Sequence, residues 1–322
     1  MARLTRKSVV TLPIYTENTL VTTSLKSLPA WNFTYQTLGA TMLDARPYIG
    51  QFQPDAPYIG DKFTQLGFSF NLYGQSATGV PYHFTPVLRA AGFDYDITTG
   101  GTAALGDLHI DGETPDGDTV TFPCRINVDG YEQISFNNVA DLDIEFSAGQ
   151  IPTVNARLLG HIGVGHAASV VTASTAQTAL QTLLTPTPSK LMGGTIGGVS
   201  GLTIAKFTYA LNNRLSPRMD VNGVEGRSQT QIVDRNPSGM LYVEVTDIST
   251  FNPETIWSAR TSTACAFTHN DGGAAWDEIA VGWTCYFSDV PQKVDVDGVL
   301  CWEIPFVQHP SSGPLTLVWS DN

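Results

Sequence analysis

Leu66-Gly67-Phe68-Ser69-Phe70-Asn71-Leu72-Tyr73 decides the fold class. Leu66, Phe68, Phe70 and Leu72 share one face, while Gly67, Ser69 and Asn71 share the other. A period of two is the mark of a strand that buries one side. The pattern recurs. Leu142, Ile144 and Phe146 alternate with Asp141, Asp143 and Glu145, which puts three carboxylates on the wet face of a strand. Leu300, Trp302, Ile304 and Phe306 alternate with Val299, Cys301, Glu303 and Pro305. With nineteen prolines and thirty glycines in 322 residues, the chain reads as mainly β and rich in turns.

The strands belong to a plan that the chain states twice. Phe33-Thr34-Tyr35 leads through a Pro/Gly-rich loop, Arg46 to Asp61, into the strand just quoted. Phe207-Thr208-Tyr209 leads through a polar loop, Arg214 to Asp234, into Met240-Leu241-Tyr242-Val243-Glu244-Val245. Each copy continues with a Pro-marked helix start ending near an arginine: Thr85-Pro86 to Arg89, and Asn252-Pro253 to Arg260. Each closes on paired strands: Ile134 to Phe146 with Ile151 to Gly160, and Ile279 to Phe287 with Val299 to Gln308. The offset falls from 174 residues at the triplets to about 150 at the closing strands, which an insertion over 94–127 in the first copy accounts for. The expected organisation is a first β-sandwich domain over 1–165 and a second over 202–322, each with a short flanking helix. The segment 166–201, rich in small and hydroxyl residues, reads as the linker, with a short helix over Thr175 to Leu184. Residues 1–33, Thr-rich and punctuated by Pro13 and Pro29, read as an extended arm without packing of its own.

Net charge is −13, and the first seven residues contribute +3 through Arg3, Arg6 and Lys7. Seven acids and no lysine or arginine lie between Asp94 and Asp118. Such a surface repels phosphate and does not hold nucleic acid statically. No apolar run approaches the roughly 20 residues of a membrane-spanning helix. The N-terminus has no apolar stretch of a signal peptide, so synthesis and retention in a cytoplasm are expected. Cys124, Cys265, Cys285 and Cys301 are widely spaced and read as small buried hydrophobes.

Motifs for chemistry fail on inspection. Gly198-Val199-Ser200-Gly201 misses the nucleophile-elbow pattern, because position 202 is Leu. Asp295-Val296-Asp297-Gly298 lacks the third oxygen ligand of a calcium loop and the closing Glu, and reads as a β-turn. Asp111-Gly112-Glu113 with Asp116-Gly117-Asp118 reads as a solvated turn. The six histidines show no metal-ligand pairing. No cofactor, metal or catalytic residue is therefore assigned.

Several segments, in order, resemble tail tube proteins of tailed bacteriophages, the siphophage type with a duplicated tube domain. They are Pro54 to Lys62, Gly67-Phe68-Ser69-Phe70, Pro86 to Phe93, Phe146 to Pro152 with Gly160, and Asn212 to Arg218 with Gly226 and Asp234 to Pro237. The likeness covers about two thirds of the chain. It implies a virion protein without enzymatic activity, stacked in rings, each ring contributing strands to an inner β-barrel through which DNA passes unbound. Partners implied are further copies of the chain, a tape-measure protein, a tail terminator and distal tail proteins, with no membrane insertion. The duplication suggests a trimeric ring with pseudo-sixfold symmetry, a hexamer being the alternative. Asp141, Asp143, Glu145 and Glu244 are the expected bore lining. Arg3, Arg6, Lys7, Arg46, Asp55, Lys62, Arg214, Arg218 and Arg227 are the expected contacts between rings. Two other classes stay open: a β-sandwich receptor-binding or decoration module, and a glycan hydrolase using acids of the Asp94–Asp118 loop.

Overall fold

The computed structural model describes residues 8–16, 19–43, 58–72, 83–93, 96–97, 102–105, 121–128, 131–162, 192–220, 222, 227–269, 278–309 and 315–320. Strands dominate, as the alternation requires. The first half contains β1 (Ser8–Thr16), β2 (Thr19–Leu28), β3 (Ala30–Leu43), β4 (Tyr58–Asn71), α1 (Thr85–Ala90), β5 (Asp96–Ile97), β6 (Thr102–Leu105), β7 (Phe122–Val128), β8 (Tyr131–Ser147) and β9 (Thr153–Ile162). The second half contains β10 (Met192–Ile196), β11 (Val199–Ala210), β12 (Asn213–Met219), β13 (Arg227–Arg235), β14 (Ser238–Glu244), α2 (Pro253–Ala259), β15 (Thr263–His269), β16 (Glu278–Phe287), β17 (Gln292–Val296), β18 (Val299–Gln308) and β19 (Thr316–Ser320).

The first half forms an antiparallel sheet in the order β2-β1-β7-β8-β9-β4-β3. The N-terminal segment is therefore not a free arm. Val10, Leu12 and Leu28 are fully buried, and β1 pairs with both β2 and β7. Threonine-rich composition hid a strand pair that buries Val10, Leu12 and Leu28. The quoted strand behaves as expected: Leu66, Phe68, Phe70 and Leu72 are buried in β4.

In the second half the pairings close on themselves: β11-β14-β18-β16-β15-β10 and back to β11, six antiparallel strands forming a barrel within one chain. Phe207 sits at its centre, 4.5 Å from Trp283, 5.1 Å from Phe267 and 6.0 Å from Phe306, ring centre to ring centre. Residues 192–201, expected as the end of the linker, form β10 and the start of β11. Their turn is Gly197-Gly198, with φ of 58° and 84°. Two consecutive positive φ angles make the tight hairpin turn that matches strand twist, and glycine takes them without strain. Asp297-Gly298 repeats the device between β17 and β18, as the turn reading of that motif anticipates.

Both helices sit where the proline signals point, but differ at their starts. Asn252 caps α2, its Oδ1 accepting from the N–H groups of Glu254 (3.1 Å) and Thr255 (3.3 Å). In α1 the cap position is Phe84 and no side chain caps it; Thr85 lies inside the helix. Burial holds α1 instead: every residue from Phe84 to Phe93 is buried.

The halves are joined by hydrogen bonds and by core packing. One edge of β8 pairs with β7 over Tyr131–Asn138 and with β11 over Asp143–Ser147, while its other edge pairs with β9. Its Phe146 enters the barrel's aromatic core, 5.3 Å from Phe267. Farther away, β19 pairs with β6 as well as with β16. Phe84, ahead of α1, lies between Phe70 of β4 (5.8 Å) and Trp319 of β19 (5.9 Å).

Candidate functional site

The register of the strands places the expected bore residues. Across β4, β9, β8, β11 and β14 run Ser69, Asn155, Asp143, Ala210 and Ser238; the next row is Asn71, Thr153, Glu145, Thr208 and Met240. Since side chains alternate, these rows belong to one polar face that crosses from one half to the other. Asp141, Asp143 and Glu145 stand together on it. Glu244 lies on β14 at the opposite end from Ser238, opposite Cys301 of β18, and is not a neighbour of the other three.

The face is acidic but not bare. Arg157 of β9 donates a short hydrogen bond to Asp143 and lies 3.8 Å from Asp141. Asp143 in turn holds the Arg157 guanidinium above its ordinary pKa. Lys206 of β11 pairs with Glu145 at 2.7 Å. Farther along, the Tyr242 hydroxyl donates to Glu303 at 2.7 Å, and burial, reinforced by that bond, raises its pKa to about 12. Two cations among the three clustered acids weaken simple repulsion of phosphate. Sequence reading missed them because Arg157 and Lys206 lie on separate strands, 12 and 61 positions from Glu145.

Asp141 departs from the expectation of a wet carboxylate: it is 9% exposed. Its Oδ1 accepts the backbone N–H of Asn213 at 2.9 Å. Burial pushes its pKa up, against the opposing pull of that N–H and of Arg157, with Asp143 adding to the rise. What covers it is the base of β12 and β13.

That pair replaces the loop expected over Arg214 to Asp234. Asn213–Met219 and Arg227–Arg235 form a hairpin that is the one two-stranded sheet among the described residues separate from the main network. Its root is tied to both halves. The Asn213 side-chain amide donates to the carbonyls of Ala140 (2.9 Å) and Ala91 (3.1 Å), and its Oδ1 accepts from Arg235 Nε at 2.6 Å. Arg235 Nη2 also donates to the Ala91 carbonyl. Arg214, Arg218, Met219 and Val233 are exposed along the arm. Arg227 begins β13. Lys62, the other expected ring contact among the described residues, is half-buried within β4 and pairs opposite Ala40, so it belongs to a strand and not a loop. Arg3, Arg6, Lys7, Arg46 and Asp55 lie outside the described residues, as do most of the acidic insertion and the helix expected over Thr175 to Leu184.

Beside the hairpin root lies a groove of about 560 Å³, lined by Thr34, Tyr35 and Gln36 of β3, Gln65 of β4, Arg157 of β9 and Leu215 of β12. Asp141 is the carboxylate in it. No cluster of His, Cys, Asp and Glu that could hold a metal occurs among the described residues, and no described helix is long and apolar enough to cross a membrane. No protein-family model matches the chain, and no curated protein matches it significantly.

Proposed function

We propose that this chain is a structural subunit that polymerises into a hollow tube, of the kind built by the tail tube proteins of tailed phages and serving as the conduit for DNA ejection. The observation that carries this reading is β3. It runs from Ala30 to Leu43 over 14 residues without a charged residue or a proline. Among the described residues it pairs on one edge only, with β4. Trp31 and Tyr35 are exposed on it, Tyr35 by 45%. A monomer protects such an edge with lysine, proline or a covering element, because open edges recruit other chains. An edge that no other described strand pairs over this length suits a subunit whose neighbour completes the sheet.

The β12–β13 arm supports the same reading as the contact to the next ring, with arginines and an exposed Met219 facing a chain that is otherwise strongly acidic. The polar face of Asp143, Glu145 and Glu244 is then the bore lining, moderated by Arg157 and Lys206. The plan that the sequence states twice is the basis for a trimeric ring of pseudo-sixfold symmetry, with a hexamer as the alternative. Assembly in the virion involves the tape-measure, terminator and distal proteins that such a tail requires.

Negative-stain imaging of the concentrated full chain tests the proposal. Hollow cylinders of uniform diameter are expected, with three chains per ring slice. Tyr35→Lys with Gln36→Lys places two charges on the open edge and is expected to leave folded monomers. Discrete closed oligomers from the unaltered chain would instead favour a virion binding module, for which the groove beside the hairpin root would be the binding site.

A further inference from the structure

Cys265 and Cys285 are 20 positions apart in sequence, yet their sulfurs lie 3.8 Å apart inside the barrel. They occupy adjacent strands: Cys265 is opposite Trp283, and Cys285 is opposite Thr263. Both are buried, at 3% and 0% exposure. The two thiols are thus neighbours on one inward face, diagonal across a ladder that already holds their backbones in place. A disulfide needs its sulfurs at about 2.05 Å, a closure of under two ångströms that side-chain rotation and a small strand shift can supply. Cys124 of β7 and Cys301 of β18 are likewise free and buried.

We propose that Cys265 and Cys285 are a latent disulfide site, reduced in the cell that makes the chain and closed by a peroxide-class oxidant outside it. The reaction balances as two thiols and one hydrogen peroxide giving one disulfide and two waters. One thiol loses its proton, and its sulfur attacks a peroxide oxygen, breaking the O–O bond to leave a sulfenic acid and, after proton transfer, water. The second sulfur displaces the sulfenic oxygen, which leaves as the second water. The sulfurs together give up two electrons. At Cys265 the neighbouring thiol, and after it burial, oppose formation of the thiolate. Closure is therefore slow and follows transient opening between β15 and β16. Once formed, the bond fastens these strands and resists loss of the barrel.

The test uses the full chain. Reduced protein is incubated with millimolar hydrogen peroxide, then denatured, alkylated at remaining thiols and mapped by peptide mass. The expected result is alkylation of Cys124 and Cys301 alone, and a linked Cys265–Cys285 peptide pair two hydrogens lighter than the two reduced peptides. Thermal unfolding should rise by several degrees and return on treatment with dithiothreitol. Cys285→Ser should abolish both the link and the rise. Alkylation of all four cysteines after oxidation, sulfinic acid at either position without a link, or linkage to Cys124 or Cys301 would each overturn the assignment.

Discussion

Arg235 donates a hydrogen bond of 2.6 Å to the backbone carbonyl of Ala91, a residue 144 positions earlier in the chain. The bond fixes the root of the β12–β13 hairpin to the C-terminal end of α1. Gly92, next in line, has φ of +97°, and a Cβ there would run into the Arg235 guanidinium.

Removing the guanidinium should be expensive. Arg235→Ala leaves the carbonyl of Ala91 and Oδ1 of Asn213 short of a charged donor, and a loss of about 2–3 kcal/mol is expected. Gly92→Ala adds left-handed backbone strain of about 1–2 kcal/mol to the displacement of the arginine. Lys206→Ala, which breaks a half-exposed pair, should cost under about 1 kcal/mol. Urea titrations of the three variants rank them, and a Lys206 variant as unstable as the Arg235 variant would refute the ordering.

Asp141 makes a prediction about pH. Burial raises its folded pKa above the unfolded value of about 3.9. The native state then binds more protons than the unfolded state between those two values, so this group's contribution to stability falls as pH rises through the folded pKa. The penalty is absent below the unfolded value and complete above the folded one. Asp141→Asn keeps an oxygen for the Asn213 N–H and removes the penalty, while Arg157 retains Asp143. The variant should show a smaller fall in stability as pH rises out of the carboxylate range. Thermal melts across that range check it; an unchanged slope would show that Asp141 does not titrate differently on folding.

Deletions separate folding from assembly at the N-terminus. Val10 and Leu12 are fully buried in β1. Removing residues 2–7 takes Arg3, Arg6 and Lys7 and leaves the strand, so folded subunits that fail to elongate are expected. Removing residues 2–12 takes the strand too and should give insoluble or unfolded chain. Replacing 217–230 by a tight Asn-Gly turn should likewise leave folded rings that do not stack. Circular dichroism and electron microscopy distinguish the outcomes, and normal tubes from the 2–7 deletion would remove the basic segment from the ring contact.

Reversing charge tests the bore. Asp143→Lys with Glu145→Lys places two more cations beside Arg157 and Lys206, and each is repeated around every ring. Tubes should form, and DNA ejection should slow or stop. Unchanged ejection from well-formed variant tails would place this face on the outside.

How much of this was legible in the sequence depended on range. Period-two patterning found β4, β8 and β18 and their inward residues, because alternation is a local property. Proline and glycine marked both helices and the Asp297-Gly298 turn, but the Gly197-Gly198 hairpin turn was read as linker. Leu215 and Ile232, opposite one another in the arm, are only half-buried. Without an apolar face the β12–β13 hairpin read as a loop. The threonines of β1 and β2 misled in the same way. Nothing local announces that Asn213 will cover Asp141 or that Arg157 and Lys206 will flank the acids, since those encounters are set by strand register across the whole fold. The cysteine pair was hidden for that reason as well.

The single strand β8 has a consequence for how the chain can be divided. Its Asp143–Ser147 edge belongs to β11, and its Phe146 belongs to the barrel. A cut in the segment between β9 and β10 would leave each fragment with a missing neighbour that only the other can supply. The fragments 1–190 and 191–322 are thus two parts of a split protein. Produced separately, each should be poorly soluble; produced together, they should find one another and restore the fold, making this chain a self-complementing reporter whose signal is its own completed sheet.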